Sequence, residues 1–380
     1  MKIGILTLPL HINYGGILQA YALQTVLTQM GHEATLIDLQ EVNISKRPFW
    51  WMLLAYGKRA VRKYVLRRKD VVIFRERKWK KELPVIGRDI HRFVEQNIHP
   101  HLKITSLYSI QPDDFDAFVV GSDQIWRPKY FPYIEEAYLQ FAAGWPVKRI
   151  AYAPSFGVSQ WEYTEQQTGV CGALLKRFDA VSVREDSAVA LCDKHFQVSA
   201  THVLDPTMLL PISHYQELIA KGDTHPSDGQ MLTYILDGSD QREEKNKIVS
   251  YLSQTLGYKA YTVDHVRYNQ PNAPLEQCIS PSVEQWLRGF EDAQLVITDS
   301  FHACVFSILF HKPFVVFANK NRGVARLESL LKIFSLTDRI VTSSQELIDK
   351  RDLFSIPWQE VDRIHDQWKQ QSIRFLQSSL

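Results

Sequence analysis

Two Rossmann-like α/β domains facing each other across a cleft form the fold class that this 380-residue sequence predicts. Three observations carry it. Short apolar runs that read as buried parallel strands alternate with helical periods along the chain. Several of those runs end in small, polar or charged residues, the pattern of a sheet with a ligand cleft along its edge. Residues 208–229, with Pro211, Gly222, Pro226 and Gly229, are polar and turn-rich and read as a linker dividing the pattern in two. The expected layout is an N-terminal domain over 1–207 with a basic helical insertion at about 46–100, and a C-terminal domain over 230–355. A last helix within 356–380 has the length and apolar spacing to pack across both.

Composition sets the bounds. A chain this long that is 45% hydrophobic can bury two separate cores. Cys171, Cys192, Cys278 and Cys304 are far apart and form no C-x-x-C pair. That argues against a disulfide framework or a structural zinc site and suits a reducing cytoplasm. The start, M-K-I-G-I-L-T-L-P-L, runs straight into a strand, so no signal peptide is expected. No apolar run reaches the roughly 18–20 residues of a transmembrane helix. The net charge of +2 hides an asymmetry: residues 46–92 carry 16 Lys and Arg against four acids, a net +12, which leaves −10 elsewhere.

In chain order, residues 2–8 are a strand, followed by P-L-H-I-N-Y-G-G, an apolar-periodic helix over 17–30, and a second strand over 34–39. Asn13, Gly15 and Gly16 allow close backbone approach to a ligand at a helix N-terminus, or simply tight packing. The turn is not G-x-G-x-x-G, and no acid stands at the spacing for a dinucleotide ribose, which argues against a nicotinamide cofactor. In the basic stretch, Phe49 to Leu54 leads into Val61, Tyr64, Val65 and Val72 with Lys and Arg between. A helix here is apolar on one side and cationic on the other. It reads either as a solvated hairpin capping the domain or as a contact for an anionic membrane surface. Aromatic residues interleaved with bases also suit nucleic acid, but no helix-turn-helix, zinc-finger or RNP pattern supports that partner.

Strand 116–120 ends in G-S-D-Q-I-W, residues 121–126, and strand 149–154 in Ser155-Phe156-Gly157. A helix over 169–178 precedes strand 180–183, which ends in Arg184-Glu185-Asp186-Ser187, and 198–204 leads to Asp205-Pro206-Thr207. The second half repeats the alternation: strands at 231–236, 259–263, 295–298, 314–317 and near 338–341, with helices at 243–257, 282–292, 301–310 and 325–334. The stretch 294–317 holds the candidate active centre. His302 falls in the first turn of a helix that follows a strand end, beside Asp299 and Ser300. Free N–H groups and the helix dipole favour an anion there, and a histidine beside it can donate a proton or hold a leaving phosphate. The same position also suits a histidine that merely caps a packed helix.

Taken together, N-Y-G-G-x-L-Q-A, G-S-D-Q-I-W, V-S-V-R-E-D-S, L-D-P-T and T-D-S-F-H-A resemble the polysaccharide pyruvyl transferases, in that family's order from residue 3 to about 335. The resemblance implies a GT-B-like fold and transfer of the enolpyruvyl group of phosphoenolpyruvate onto two sugar hydroxyls as a ketal, with no other cofactor. It implies a sugar or lipid-linked oligosaccharide acceptor; the chain is expected in the cytoplasm, and if the acceptor is lipid-carried, the basic helix is expected to dock at the inner membrane surface. By similarity, His302 matches the essential histidine, as acid or phosphate contact, and Arg184 the arginine that clamps carboxylate or phosphate. Asp123 is the candidate base for the acceptor hydroxyl, from its strand-end position. Gln19, Ser122, Gln124 and Ser155 join Asn13, Gly15, Gly16, Asp299 and Ser300 as candidate substrate contacts.

At one place the chain departs from the family. Better-known members read S-R-L-H where this chain reads D-S-F-H, so Ser300 stands at the arginine position. Charge-assisted contacts are worth about 1.5–3 kcal/mol each, and Lys320 and Arg322, one strand beyond His302, are the candidates to supply the missing charge. Two alternatives stay open. One is a GT-B glycosyltransferase using a nucleotide sugar, against which no E-x-x-x-x-x-x-E pattern is found. The other is a non-catalytic subunit of a polysaccharide assembly complex.

Overall fold

The computed structural model describes residues 1–40, 49–67, 73–236, 242–264, 273–317, 324–349, 352 and 354–380. Seven strands form the first sheet: β1 (Lys2–Leu6), β2 (Glu33–Leu39), β3 (His101–Ile104), β4 (Ala117–Val120), β5 (Lys148–Ala151), β6 (Ala180–Val183) and β7 (Thr201–His202). All neighbours pair in parallel, in the order β3-β2-β1-β4-β5-β6-β7. The second sheet, of β8 (Met231–Tyr234), β9 (Ala260–Tyr261), β10 (Leu295–Thr298), β11 (Phe314–Phe317) and β12 (Ile340–Val341), is also parallel, in the order β12-β11-β10-β8-β9. Strands covered on both faces must be apolar throughout, and β4, β10 and β11 are buried at every position. Gly4 in β1 is required by packing: a Cβ there would stand 2.9 Å from both Ile37 and Phe118.

Each sheet reverses its winding once, between β1 and β4 in the first and between β8 and β10 in the second. Open α/β sheets present their ligand crevice at the carboxyl ends of strands flanking such a reversal. Here the two crevices face each other. The helix Tyr14–Gln29 leaves β1 and docks on the other domain: Tyr14 stacks on Trp286 at 5.4 Å, and its hydroxyl donates to the Pro281 carbonyl at 2.7 Å. One hydrophobic core therefore runs through both domains, from Ile3 and Ile17 to Trp286 and Phe306.

The helix Trp358–Ser379 joins both domains, as its length and spacing predict. It starts against the second domain, where Trp358 stacks on His311 at 4.8 Å and Asp362 pairs with the same imidazole at 2.7 Å. It ends on the first, where the Ser372 hydroxyl accepts from Leu204 N at 3.0 Å and Phe375 meets Tyr152.

Two expectations need correction. Residues 208–229 are more than a linker, because the helix Ile212–Lys221 lies among them. Its Tyr215, Leu218 and Ile219 recur at helical spacing and are buried in the shared core, a short apolar stripe outweighed in the sequence by its turn-rich flanks. The first helix begins at Tyr14 rather than at residue 17, so Gly15 and Gly16 belong to its first turn. The basic insertion folds as the helices Phe49–Ala60, Arg75–Ile86 and Arg88–Asn97, ahead of β3. Among its predicted apolar positions Val72 lies outside the described residues, as do Lys320 and Arg322.

Candidate functional site

The cleft between the two domains has a volume of about 730 Å3. Its walls come from the chain after β1 (Asn13, Tyr14), after β4 (Asp123, Gln124, Arg127), after β8 (Leu236) and after β10 (Asp299, Ser300, His302), with Arg326 beyond β11. Strand ends that the sequence marks as polar are thus collected in one place.

Behind the wall sits a buried charge cluster centred on Asp205. The Asp-Pro-Thr turn folds its carboxylate back on Thr207, where Oδ1 accepts from the backbone N at 3.0 Å and from the hydroxyl at 2.6 Å. Oδ2 accepts from Arg184 Nη1 at 2.7 Å and from the Ser122 hydroxyl at 3.2 Å. It also lies 3.6 Å from His302 Nε2, so charge rather than a formed hydrogen bond couples that pair. Burial alone would push the Asp205 carboxyl up, but His302, Arg184 and Thr207 outweigh it and hold the group well below the usual carboxylate range. A carboxylate from one domain thus faces the imidazole of the other.

His302 lies in the first turn of the helix Phe301–Leu309 and lines the cleft; its Nε2 is buried and makes no hydrogen bond. Its Nδ1 edge rests against Gly15, where any Cβ would overlap the ring. The glycine that suggests close approach of a ligand therefore admits the protein's own histidine. A Cβ at Gly16 would stand 3.2 Å from the Asn13 side chain.

Arg184, expected to clamp the ligand, is placed behind the wall instead. Its Nη2 donates to Asp123 at 3.3 Å, its Nη1 is held by Asp205, Phe301 covers the guanidinium at 4.4 Å, and the side chain is 1% exposed. Asp123 does reach the cleft, with φ at +56° in the left-handed region that aspartate tolerates better than most residues.

Gln19 is fully buried, accepting from Ser122 N at 2.9 Å and donating to Thr7 at 3.0 Å; it joins the helix to the turn after β4. Ser155 is equally buried and donates to Glu185 at 2.8 Å, a carboxyl that burial pushes up. Gln124 lines the cleft and accepts from Arg127. Asp299 also lines it, but is held by Lys245 at 2.8 Å and by Leu236 N at 2.7 Å, which secures the loop after β8. Ser300 and Asn13 cap helices that start at the cleft from opposite domains, and neither side chain bonds its helix. Unclaimed N–H groups and two helix dipoles are thus directed at the same space.

Sequence reasoning left out three functional candidates. Asp205 is quoted within a motif but given no role. Arg127 lines the cleft while Glu162 holds it at 2.8 and 2.9 Å. Arg326, in the first turn of the helix Ala325–Ile333, lines the cleft with a buried Nε that makes no hydrogen bond. Burial and neighbouring Arg184 lower its pKa, against Asp123 and Glu185; an arginine nonetheless keeps its charge at neutral pH. The signal was present, since Arg326, like His302, is the second residue of the helix that comes next in the chain after a strand.

Among the described residues, no group of three or more His, Cys, Asp or Glu side chains is placed to hold a metal ion. The fold is that of GT-B proteins. The chain is similar to UDP-GlcNAc 2-epimerase from Neisseria meningitidis, at 10% identity over 100% of this chain and 99% of that one, with a TM-score of 0.51. It is similar in the same degree to a Listeria monocytogenes protein assigned as a UDP-N-acetylglucosamine 2-epimerase, at 10% identity over 97% and 90% of the two chains and a TM-score of 0.51. At such identity the likeness extends to the fold alone. No curated protein matches the chain. The family model described as polysaccharide pyruvyl transferase matches residues 13–321, from the Asn13 helix cap past His302 and β11. Since that match takes in both domains and the strand ends that build the cleft, the chain belongs to the polysaccharide pyruvyl transferase family.

Proposed function

We propose that the protein transfers the enolpyruvyl group of phosphoenolpyruvate onto two hydroxyls of a sugar, forming a cyclic ketal and releasing phosphate during synthesis of a surface polysaccharide. One observation supports this reading above the rest: the helix starts at Asn13 and Ser300 open on the cleft that His302 and Arg326 line, and the buried Nε of Arg326 meets no acceptor among the described residues. Buried polar atoms are normally hydrogen-bonded, so a guanidinium nitrogen left open beside two helix N-termini suits an anionic ligand.

In this reading the donor's phosphate and carboxylate lie between the helix starts at Asn13 and Ser300, with Arg326 supplying the charge that Ser300 lacks. The enol carbon gains a proton, an oxocarbenium-like centre forms at the neighbouring carbon, and the first sugar hydroxyl adds there. The carbon–oxygen bond to phosphate then breaks, and the second hydroxyl closes the ketal. Of the two hydroxyl protons released, one balances the proton now on the methyl group and the other leaves with phosphate. His302, backed by the Asp205 carboxylate, is the proton donor, and Asp123 is the base for the attacking hydroxyl. Arg184 positions both carboxylates. The acceptor in this reading is a sugar on a lipid carrier, and the protein works at the cytoplasmic face of the membrane. No helix among the described residues is long and apolar enough to cross that membrane.

Calorimetry with phosphoenolpyruvate, followed by mass analysis of a sugar diol incubated with donor and protein, tests the reading. Binding that weakens in Arg326→Ala, together with a product that His302→Ala does not form, is expected. Binding of a nucleotide sugar in place of phosphoenolpyruvate would overturn it in favour of glycosyl transfer.

A further inference from the structure

We propose that the helical insertion between β2 and β3 is a docking arm for an anionic lipid surface; its purpose rests on the lipid-carried acceptor, its physics does not. The helix Phe49–Ala60 and the turn Val61–Val65 present an apolar face that stands open among the described residues. Leu53 and Val61 are 52% and 53% exposed, and Val65 and Leu66 are 71% and 63% exposed. These positions follow one another by steps of about four residues through Gly57, whose missing side chain leaves a groove between Leu53 and Val61. Lys58 and Arg62 line that groove, Lys63 lies beside it, and none of the three is paired with an acid among the described residues. Apolar residues flanked by unpaired cations are the composition of a helix that lies in a headgroup layer.

Charge selects the occupant. The +12 carried by residues 46–92 would repel a second copy of the same face but complements anionic lipid. Position gives the arm a use. The second helix of the arm, Arg75–Ile86, is joined to the first by the Tyr56–Phe74 ring contact at 5.0 Å. It ends at the cleft: Ile86 O accepts from Ser280 N at 2.8 Å, and a Cβ on Gly87 would stand 2.7 Å from Ile12. Ser280 and Ile12 both line the cleft. An arm seated in lipid therefore holds the cleft mouth near the membrane plane, where a lipid-carried sugar resides.

The test is co-sedimentation of the full chain with vesicles of phosphatidylcholine alone, or with about a third phosphatidylglycerol. Two variants accompany it, K58S/R62S/K63S and L53S/V61S/V65S; all six positions are at least partly open to solvent, and thermal melts check that both fold. The wild type should bind only the anionic vesicles, less tightly as salt rises. Loss of the three cations should weaken binding about a hundredfold, and loss of the apolar residues should weaken it while leaving the salt dependence. Equal binding to both lipids, or unchanged binding by both variants, would overturn the proposal. So would self-association that the apolar variant abolishes without any vesicle binding. Pyruvylation of a water-soluble acceptor, measured in parallel, should be the same in all three proteins, which separates failure of the arm from failure of the reaction.

Discussion

Arg184 and Arg326 lie close enough for each charge to act on the other, yet their surroundings differ in kind. Arg184 is 1% exposed, faces two carboxylates and is covered by an aromatic ring. Arg326 opens into the cleft and pairs with no carboxylate among the described residues, although the Nε of each arginine is without an acceptor. A buried cation with its counter-ions in place supports the fold, because removing it strands the anions. A cation left without an acceptor beside a cavity adds little to folding and has its charge available for a ligand. A related difference separates Asp205, saturated by Thr207, Ser122 and Arg184, from His302, which lines the cleft and forms no hydrogen bond through Nε2 while standing 3.6 Å from that carboxylate.

The largest effect that bears on this contrast is expected at His302. In His302→Ala the rate of product formation should fall by a factor of about 10^2–10^4, the range for losing a general acid, with a smaller drop in melting temperature than Arg184→Met shows, since Arg184 and Thr207 still hold Asp205. A melting temperature that collapses with activity would make His302 a structural partner of Asp205 and break the contrast. Arg184→Met should do the opposite, costing about 3–5 kcal/mol of stability because Asp205 and Asp123 are left buried without their cation. Urea unfolding measures it, and a loss under about 1 kcal/mol would mean that the cluster tolerates an unpaired carboxylate.

Smaller still is Arg326→Ala, for which an unchanged melting temperature and donor binding weaker by about 1.5–3 kcal/mol are expected by calorimetry. Destabilisation without loss of binding would reverse the assignment of the two arginines. The smallest effect concerns acid. The Asp205 carboxyl is held below its unfolded value of about 3.9. The unfolded chain therefore binds the extra proton, and stability from this group is present above that pH and lost as pH falls below it. Arg184→Met should lose less stability than the wild type between neutral pH and about pH 3, since part of the depression is already gone. Equal slopes in the two proteins would place the acid sensitivity elsewhere.

Much of the frame was legible because it rests on local chemistry. Runs such as A-F-V-V and L-V-I-T cannot be anything but buried when each lies between helices, and the polar residues that end them mark the cleft edge. The helix Ile212–Lys221 was hidden because Pro211 and Gly222, which bound it closely, make ten helical residues look like a turn-rich connection. Gly15 was legible as a close approach but not as an approach to His302, which lies in the other domain.

Local composition thus decides the strands, their parallel order of use and the polar rim from which the cleft is built. Only the tertiary structure decides which charges remain free within it. Arg184 meets Asp205 at a separation of 21 residues and Asp123 at 61, and no periodicity extends over such distances. Pairing is a property of the packed interior, where an unmatched charge is costly and a matched one is silent. The sequence places cations at strand ends, and the packing of two domains against each other leaves Arg326 and His302 facing the cleft.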